Sequence, residues 1–400
     1  MSLPPRPHPL ARSPHVERVC GWLEKSWARG ITSRPSLDVD VLWGKALRDV
    51  PAEGERGPRS EADMADFRLR LEVLAESLQR EAKLNALGLT MAHGQLVRVI
   101  RQRLELGELW SQQPDLIETE LAPPIIIVGQ MRSGTTRVHR LLAADPILAA
   151  TRFCDSWHPV PRKPDTRPAW SALTLLFART LDPWLDSIHP FGTTRPDEEL
   201  GWLACALDHC AYEAQWRVPS FTAFSEDRDP AAIYREFGRI LRTDACWHEN
   251  THRPRVLKVP QFTEDLPAIL AEFPDARVIV TRRDQDDLVS SSASLVANQM
   301  TIQSDAVDMD WIEGEVTRKI ALRDARMEAA LADFDGPHAV VDFDALNVDW
   351  ETEVARVYRH LEMPLSGASL EAMRDEQARA ASSPHRHHAQ QRESFRSKPS

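Results

Sequence analysis

The 400-residue chain contains no stretch approaching the roughly 20 consecutive apolar residues that would cross a bilayer. Met1 to Pro14 has no apolar core of the signal-peptide kind, because Pro and Arg interrupt it. Cysteine is scarce. Cys20, Cys154, Cys205, Cys210 and Cys246 are odd in number and form no C-x-x-C pair, which argues against a disulfide framework and suits reduced thiols. A cytoplasmic location is therefore expected, and the Cys205/Cys210 spacing reads as small buried residues on a helix, not as a metal pair. Basic residues are in deficit, with 49 Lys and Arg against 60 Asp and Glu for a net charge of −11. That balance gives no reason to expect nucleic acid or an anionic membrane surface as a partner, so any anion must be held locally. There is no internal repeat.

Against these absences stands one informative segment, Gly129-Gln130-Met131-Arg132-Ser133-Gly134-Thr135-Thr136. Ile125 to Val128 before it reads as a short apolar strand, and the residues after it as an amphipathic helix opening at Thr135. Glycines permit positive φ and close backbone approach, and the free N–H groups and dipole of a helix N-terminus attract an anion. The common nucleotide loop has the pattern G-x-x-x-x-G-K-[ST]. This one keeps both glycines and the final hydroxyl but carries Thr135 where the lysine belongs, and its cation is Arg132, inside the loop. An arginine there can clamp phosphate or sulfate with two parallel hydrogen bonds.

The segment Arg132-Ser133-Gly134-Thr135-Thr136 resembles the 5′-phosphosulfate loop of bacterial-type sulfotransferases that use 3′-phosphoadenosine 5′-phosphosulfate (PAPS). That family pairs the loop with a second site, a strand ending in Arg, an acidic turn, and a Ser eight positions after the Arg on the next helix. Arg283 and Ser291 stand at that spacing. Arg282 and Ser290 share it, and the Arg-Asp pair after the strand favours Arg283 with Ser291. Gln285 occupies a turn position where the family has Pro. A Lys-x-Pro step at the end of the preceding strand is matched by Lys258-Val259-Pro260, at the carboxyl end of a strand where α/β sheets place ligands.

The resemblance implies an α/β, P-loop-like three-layer fold with a central, mainly parallel sheet, preceded by an α-helical N-terminal region. It further implies that Arg132, Ser133, Gly134, Thr135 and Thr136 hold the 5′-phosphosulfate and that Arg283 and Ser291 hold the 3′-phosphate. Arg132 and Lys258 would stabilise charge on the bridging oxygen in a loose transition state. No metal is required by that chemistry. The acceptor, a small molecule or glycan, would offer a hydroxyl or amine to a general base. Glu198, in Pro196-Asp197-Glu198-Glu199, is the first candidate, Asp155 the second, and His189 the third on the grounds of its ordinary pKa. For Glu198 and Glu199 a purely helix-stabilising role near a helix N-terminus is the competing reading. A P-loop kinase or NTPase would share the loop but needs the lysine missing at Thr135. A non-catalytic nucleotide-binding scaffold would tolerate loss of Arg283 or Lys258.

Residues 1–59 form a segment rich in Pro, Arg and Trp whose stretch Pro51 to Pro58 resembles a linker. Residues 60–120 are expected to be helical: Ser60 caps a helix with Phe67, Leu71, Leu74 and Leu78 on one face, and a second helix spans about Met91 to Trp110. The α/β domain covers 121–375. Its βαβ unit comprises strand Val256 to Val259, a helix near Glu264 to Glu272 and strand Arg277 to Thr281, with a helix from Leu288 to Asn298, a strand at Ala339 to Val341 and a helix near Glu351 to Leu361 beyond it. An aromatic-rich helical insertion, 151–250, carries six of the twelve tryptophans and is a candidate acceptor pocket as well as core. Residues 376–400 read as a polar flexible tail. It holds Pro384-His385-Arg386-His387-His388 without Cys or carboxylate at ligand spacing, and lacks the Tyr and Phe-Gly-Leu ending of many relatives.

Overall fold

The computed structural model describes residue 6 and residues 8–381. At its centre is a five-stranded sheet, β1 Ile125–Val128, β2 Ala149–Ala150, β3 Arg255–Lys258, β4 Arg277–Arg282 and β5 His338–Asp342. The strand order is β2-β3-β1-β4-β5, and every pairing is parallel. All four residues of β1 are buried, as a central strand covered on both faces requires. Ile126 and Val128 face a core with Trp202, Phe237 and Phe262, whereas Ile125 and Ile127 face Val138, Leu142 and Tyr358. Helices on both faces of the sheet make three layers. At the sheet edge β5 alternates, with Ala339 and Val341 buried and Val340 exposed.

The expected helical lead-in consists of Glu61–Arg80 and Ala86–Gln112. Ser60 Oγ accepts from the Asp63 N–H at 3.1 Å, and Phe67, Leu71, Leu74 and Leu78 are buried. Two further helices precede it, Pro14–Ala28 and Val39–Ala46. Pro51 to Pro58 is not a linker. It contains a 3₁₀ turn, Ala52–Glu55, held to the long helix by the Arg103–Glu55 pair at 2.7 Å, and next to it the buried Arg59–Glu236 pair at 2.5 Å ties this region to the aromatic segment.

The helix expected near Glu264 to Glu272 is two short helices, Gln261–Glu264 and Leu266–Glu272. Pro267 lacks the N–H that a continuous helix would need and sits instead in the first turn of the second one. The helix after β4 is longer than expected, Gln285–Gln303, and Asn85 Nδ2 donates to Ile302 O near its end at 3.1 Å. Of the expected polar tail, residues 376–381 belong to the helix Gly367–Ala381, and the histidine-rich stretch lies outside the described residues. Among the described residues no helix is long and apolar enough to cross a membrane.

Candidate active site

The loop between β1 and the helix Thr135–Ala143 lies at the carboxyl ends of the central strands, where the sheet opens. Gly129 has φ +144° and Gly134 φ +94°. A Cβ on Gly134 would stand 2.4 Å from the Phe343 ring, and one on Gly129 2.1 Å from Thr281 Oγ1, so both positions need the absence of a side chain. Two threonines brace the loop, Thr281 near the end of β4 and Thr263 in the short helix after β3. Gly129 N–H donates to Thr263 Oγ1 at 2.8 Å, and Ser133 Oγ lies 2.7 Å from Thr281 Oγ1. No side chain caps the helix that opens at Thr135, which leaves the N–H groups of Thr135 and Thr136 for a ligand. The Ser133 N–H is otherwise engaged, donating to Gln130 O at 3.1 Å.

Arg132 has φ +70°, an unfavourable conformation for a residue with a Cβ, and its neighbours hold it there. Its Nε donates to Ser291 Oγ at 3.0 Å and its Nη1 to Ile188 O at 3.2 Å, while its carbonyl accepts from Arg283 Nη1 at 3.0 Å. Arg283 in turn lies 4.5 Å over the ring of Phe343. Loop and second motif are thereby one structure. Arg282, by contrast, is exposed at the end of β4. Ser291 is buried, and the adjacent Ser292 Oγ donates to Met131 O at 3.4 Å.

Lys258 ends β3 paired with Ile127. Its Nζ donates to Thr136 Oγ1 at 3.1 Å and forms an ion pair with Glu198. Only 1 % of Lys258 is exposed, so it is not a surface charge. Its backbone N–H donates to Glu199 Oε2 at 2.9 Å, and burial pushes the Glu199 carboxyl up to about 8. His189 stands with Nε2 3.4 Å from Asp197 Oδ1, long and poorly aligned for a hydrogen bond, and its ring is 4.4 Å from that of Phe191. Burial raises the Asp197 carboxyl, but His189, the Glu198 N–H and Lys258 together bring it below its ordinary value.

Arg132, Gly134, Thr135, Thr136, His189, Glu198 and Arg283 line one cavity of about 830 Å³. Asp155 is not brought there. It is buried within the aromatic segment, paired with Arg152 at 2.5 Å, Arg167 at 3.1 Å and His248 at 3.1 Å. Burial favours its neutral form, but these partners hold it well below the usual carboxylate range. Asp155, Asp244 and His248 approach as metal ligands would, and so do His209, Glu226 and Glu264. Arginines and Lys319 already supply both groups with positive charge, which leaves little call for a cation. Sequence reasoning overlooked Phe343, Thr281 and Thr263. Thr281 carries a readable hint, because side chains near the carboxyl end of a strand reach the crevice, whereas nothing marks Thr263 in its short helix or Phe343 among the apolar residues after β5.

Residues 123–367 match the sulfotransferase family over well more than half of the chain. The chain belongs to the sulfotransferase family. Its fold resembles that of sulfotransferase STF1 from Mycobacterium tuberculosis, with a TM-score of 0.76 and 26% identity over 85% of this chain and 93% of that one. Sulfotransferase STF9 from Mycobacterium avium shares the fold at a TM-score of 0.74 and 18% identity, covering 85% of this chain and 88% of that one. No curated protein matches significantly. Lys258 comes from β3 and meets the loop helix at Thr136, one residue after the position where the common nucleotide loop carries its lysine.

Proposed function

We propose that this sulfotransferase moves the sulfuryl group of PAPS to a hydroxyl or amine of a small acceptor, releasing adenosine 3′,5′-bisphosphate. The observation that carries the reading is the union of the two anion motifs: Arg132 donates to Ser291 while accepting from Arg283. A ligand with anionic groups at both ends matches a site that has a guanidinium at each, with an uncapped helix N-terminus beside the first. The residues fit such a donor, because the helix at Thr135 is uncapped and Arg132 stands beside its N-terminus in the glycine loop. PAPS when bound supplies the activated sulfuryl group.

On this reading Arg132, Thr135, Thr136 and the N–H groups of Gly134 to Thr136 grip the 5′ end, with Gly134 needed for the turn into the helix beside Phe343. Ser133 acts by shaping the loop, since both its N–H and its hydroxyl are engaged within it. Arg283 and Ser291 take the 3′-phosphate, with the Arg283 guanidinium lying over Phe343. Lys258, fixed by Glu199 through its backbone and by Thr136 through Nζ, stands ready for the charge that builds on the leaving oxygen. Transferring Lys258 Nζ to that oxygen would free Glu198 to take the acceptor proton. His189 lines the same cavity and stays the second candidate for base, while the ion pairs of Asp155 favour a structural role. The test is to supply PAPS with a panel of phenols and alcohols and follow acceptor-dependent release of adenosine 3′,5′-bisphosphate. The same protein given ATP and magnesium should form no ADP. ADP formation without any use of PAPS would favour the kinase reading instead.

A further inference from the structure

Away from the donor loop the cavity is walled by a row of rings. His189 packs 4.4 Å from Phe191, Phe191 5.5 Å from Phe153, and Phe153 6.4 Å from Trp157, measured between ring centres, and all four line the cavity. The row ends on a charge. Arg98, from the helix Ala86–Gln112, holds its guanidinium carbon 5.5 Å over Trp157 and faces the same space. Its Nε is buried without a hydrogen-bond partner, and among the described residues no carboxylate pairs with it. Nearby arginines differ in this respect: Arg103 is paired with Glu55, Arg162 with Glu105, and Arg167 with Asp155 and Asp165.

Burial lowers the Arg98 pKa, yet a guanidinium keeps its proton in proteins, so the charge persists. His158 lines the same end and senses that field. Burial, followed by the charges of Arg98, Arg167 and Arg162, pushes its ring down to about 4, which leaves it neutral near pH 7. A largely buried cation without a counter-charge is costly, and an anion delivered by a ligand would relieve the cost.

We infer that Arg98 receives a carboxylate of the acceptor. The acceptor is then an elongated amphiphile, with its hydroxyl at the loop, an apolar body along Phe191, Phe153 and Trp157, and a carboxylate on Arg98. Leu175, Leu200, Val296 and Met300 add apolar lining for that body. The direction of the molecule rests on the PAPS reading above, whereas the carboxylate site rests only on Arg98 and the rings.

Dodecanoate, methyl dodecanoate and dodecan-1-ol, titrated below micellar concentrations, test the carboxylate site without any reaction. The unsubstituted protein should bind dodecanoate about tenfold or more tightly than the ester or alcohol, the usual worth of a hydrogen bond to a charged group. Arg98→Gln should abolish that preference and Arg98→Lys keep part of it, with thermal melts checking that each variant folds. Equal binding of acid and ester by the unsubstituted protein overturns the inference even if a variant fails to fold, and so does an unchanged preference in folded Arg98→Gln. Sulfuryl transfer to 12-hydroxydodecanoate and to its methyl ester separates the two readings. Acid-selective binding without transfer from PAPS leaves the carboxylate site standing and sinks the reaction. Equal transfer to acid and ester does the reverse.

Discussion

Arg132 and Ser291, 159 residues apart in the chain, are joined by a 3.0 Å hydrogen bond from Nε to Oγ. Together with the Arg283 bond to Arg132 O, this makes the loop after β1 and the helix after β4 interdependent. A change in either should be felt at both ends of a bound nucleotide.

Arg132→Ala should lower turnover more than it lowers affinity for adenosine 3′,5′-bisphosphate, because the account sets its charge against the transferring group. A loss of about two to three orders of magnitude in kcat is expected, the usual effect of removing one electrostatic stabiliser. Steady-state kinetics alongside product titration decide it. Loss of affinity with unchanged saturating turnover would make Arg132 a simple anchor.

Among the candidate bases, Glu198→Gln should reduce transfer by roughly two to four orders of magnitude while donor affinity survives. Single-turnover assays on Glu198→Gln and His189→Gln separate the two, since only the true base loses the chemical step with both substrates bound. Near-normal transfer by Glu198→Gln moves the role to His189.

Asp155→Asn should act on stability instead. Removing its charge takes the buried counter-charge from Arg152, Arg167 and His248, which Asp165 and Asp244 replace only in part, at a cost of about 3 kcal/mol. Denaturant unfolding measures the loss. A fully stable variant that binds donor but cannot transfer would return Asp155 to the list of bases.

Glu199 predicts a pH effect. Burial raises its carboxyl from the ordinary 4.5 to about 8, so the folded protein binds a proton that the unfolded chain has lost between those values. Its contribution is therefore fully present below pH 4.5, falls as pH rises toward 8, and changes no further above that. Glu199→Gln is neutral throughout, so its stability relative to the unsubstituted protein should improve by on the order of a few kcal/mol from pH 5 to pH 8. Parallel stability curves for the two proteins would contradict this.

Much of the architecture was legible because its elements are local. Ile125 to Val128 could only be a buried strand, the two glycines marked the loop, and Ser60 marked a helix start. The parallel sheet followed from strands separated by helices. What escaped depends on tertiary contact. Pro51 to Pro58 has the composition of a linker, yet Arg59 finds Glu236 across the fold and Arg103 finds Glu55. Asp155 has the chemistry of a base, but no spacing reveals that Arg167 and His248 surround it. Phe343 gains its place beneath Arg283 only once β5 lies beside β4.

Calorimetric titration of the unsubstituted protein and of Arg283→Ala with adenosine 3′,5′-bisphosphate and with AMP, both without magnesium, tests the central claim most directly. The account predicts binding of the bisphosphate at least about tenfold tighter than AMP, from charge-assisted hydrogen bonds to the 3′-phosphate, and loss of that preference in Arg283→Ala. Equal affinity for the two nucleotides in the unsubstituted protein would contradict it.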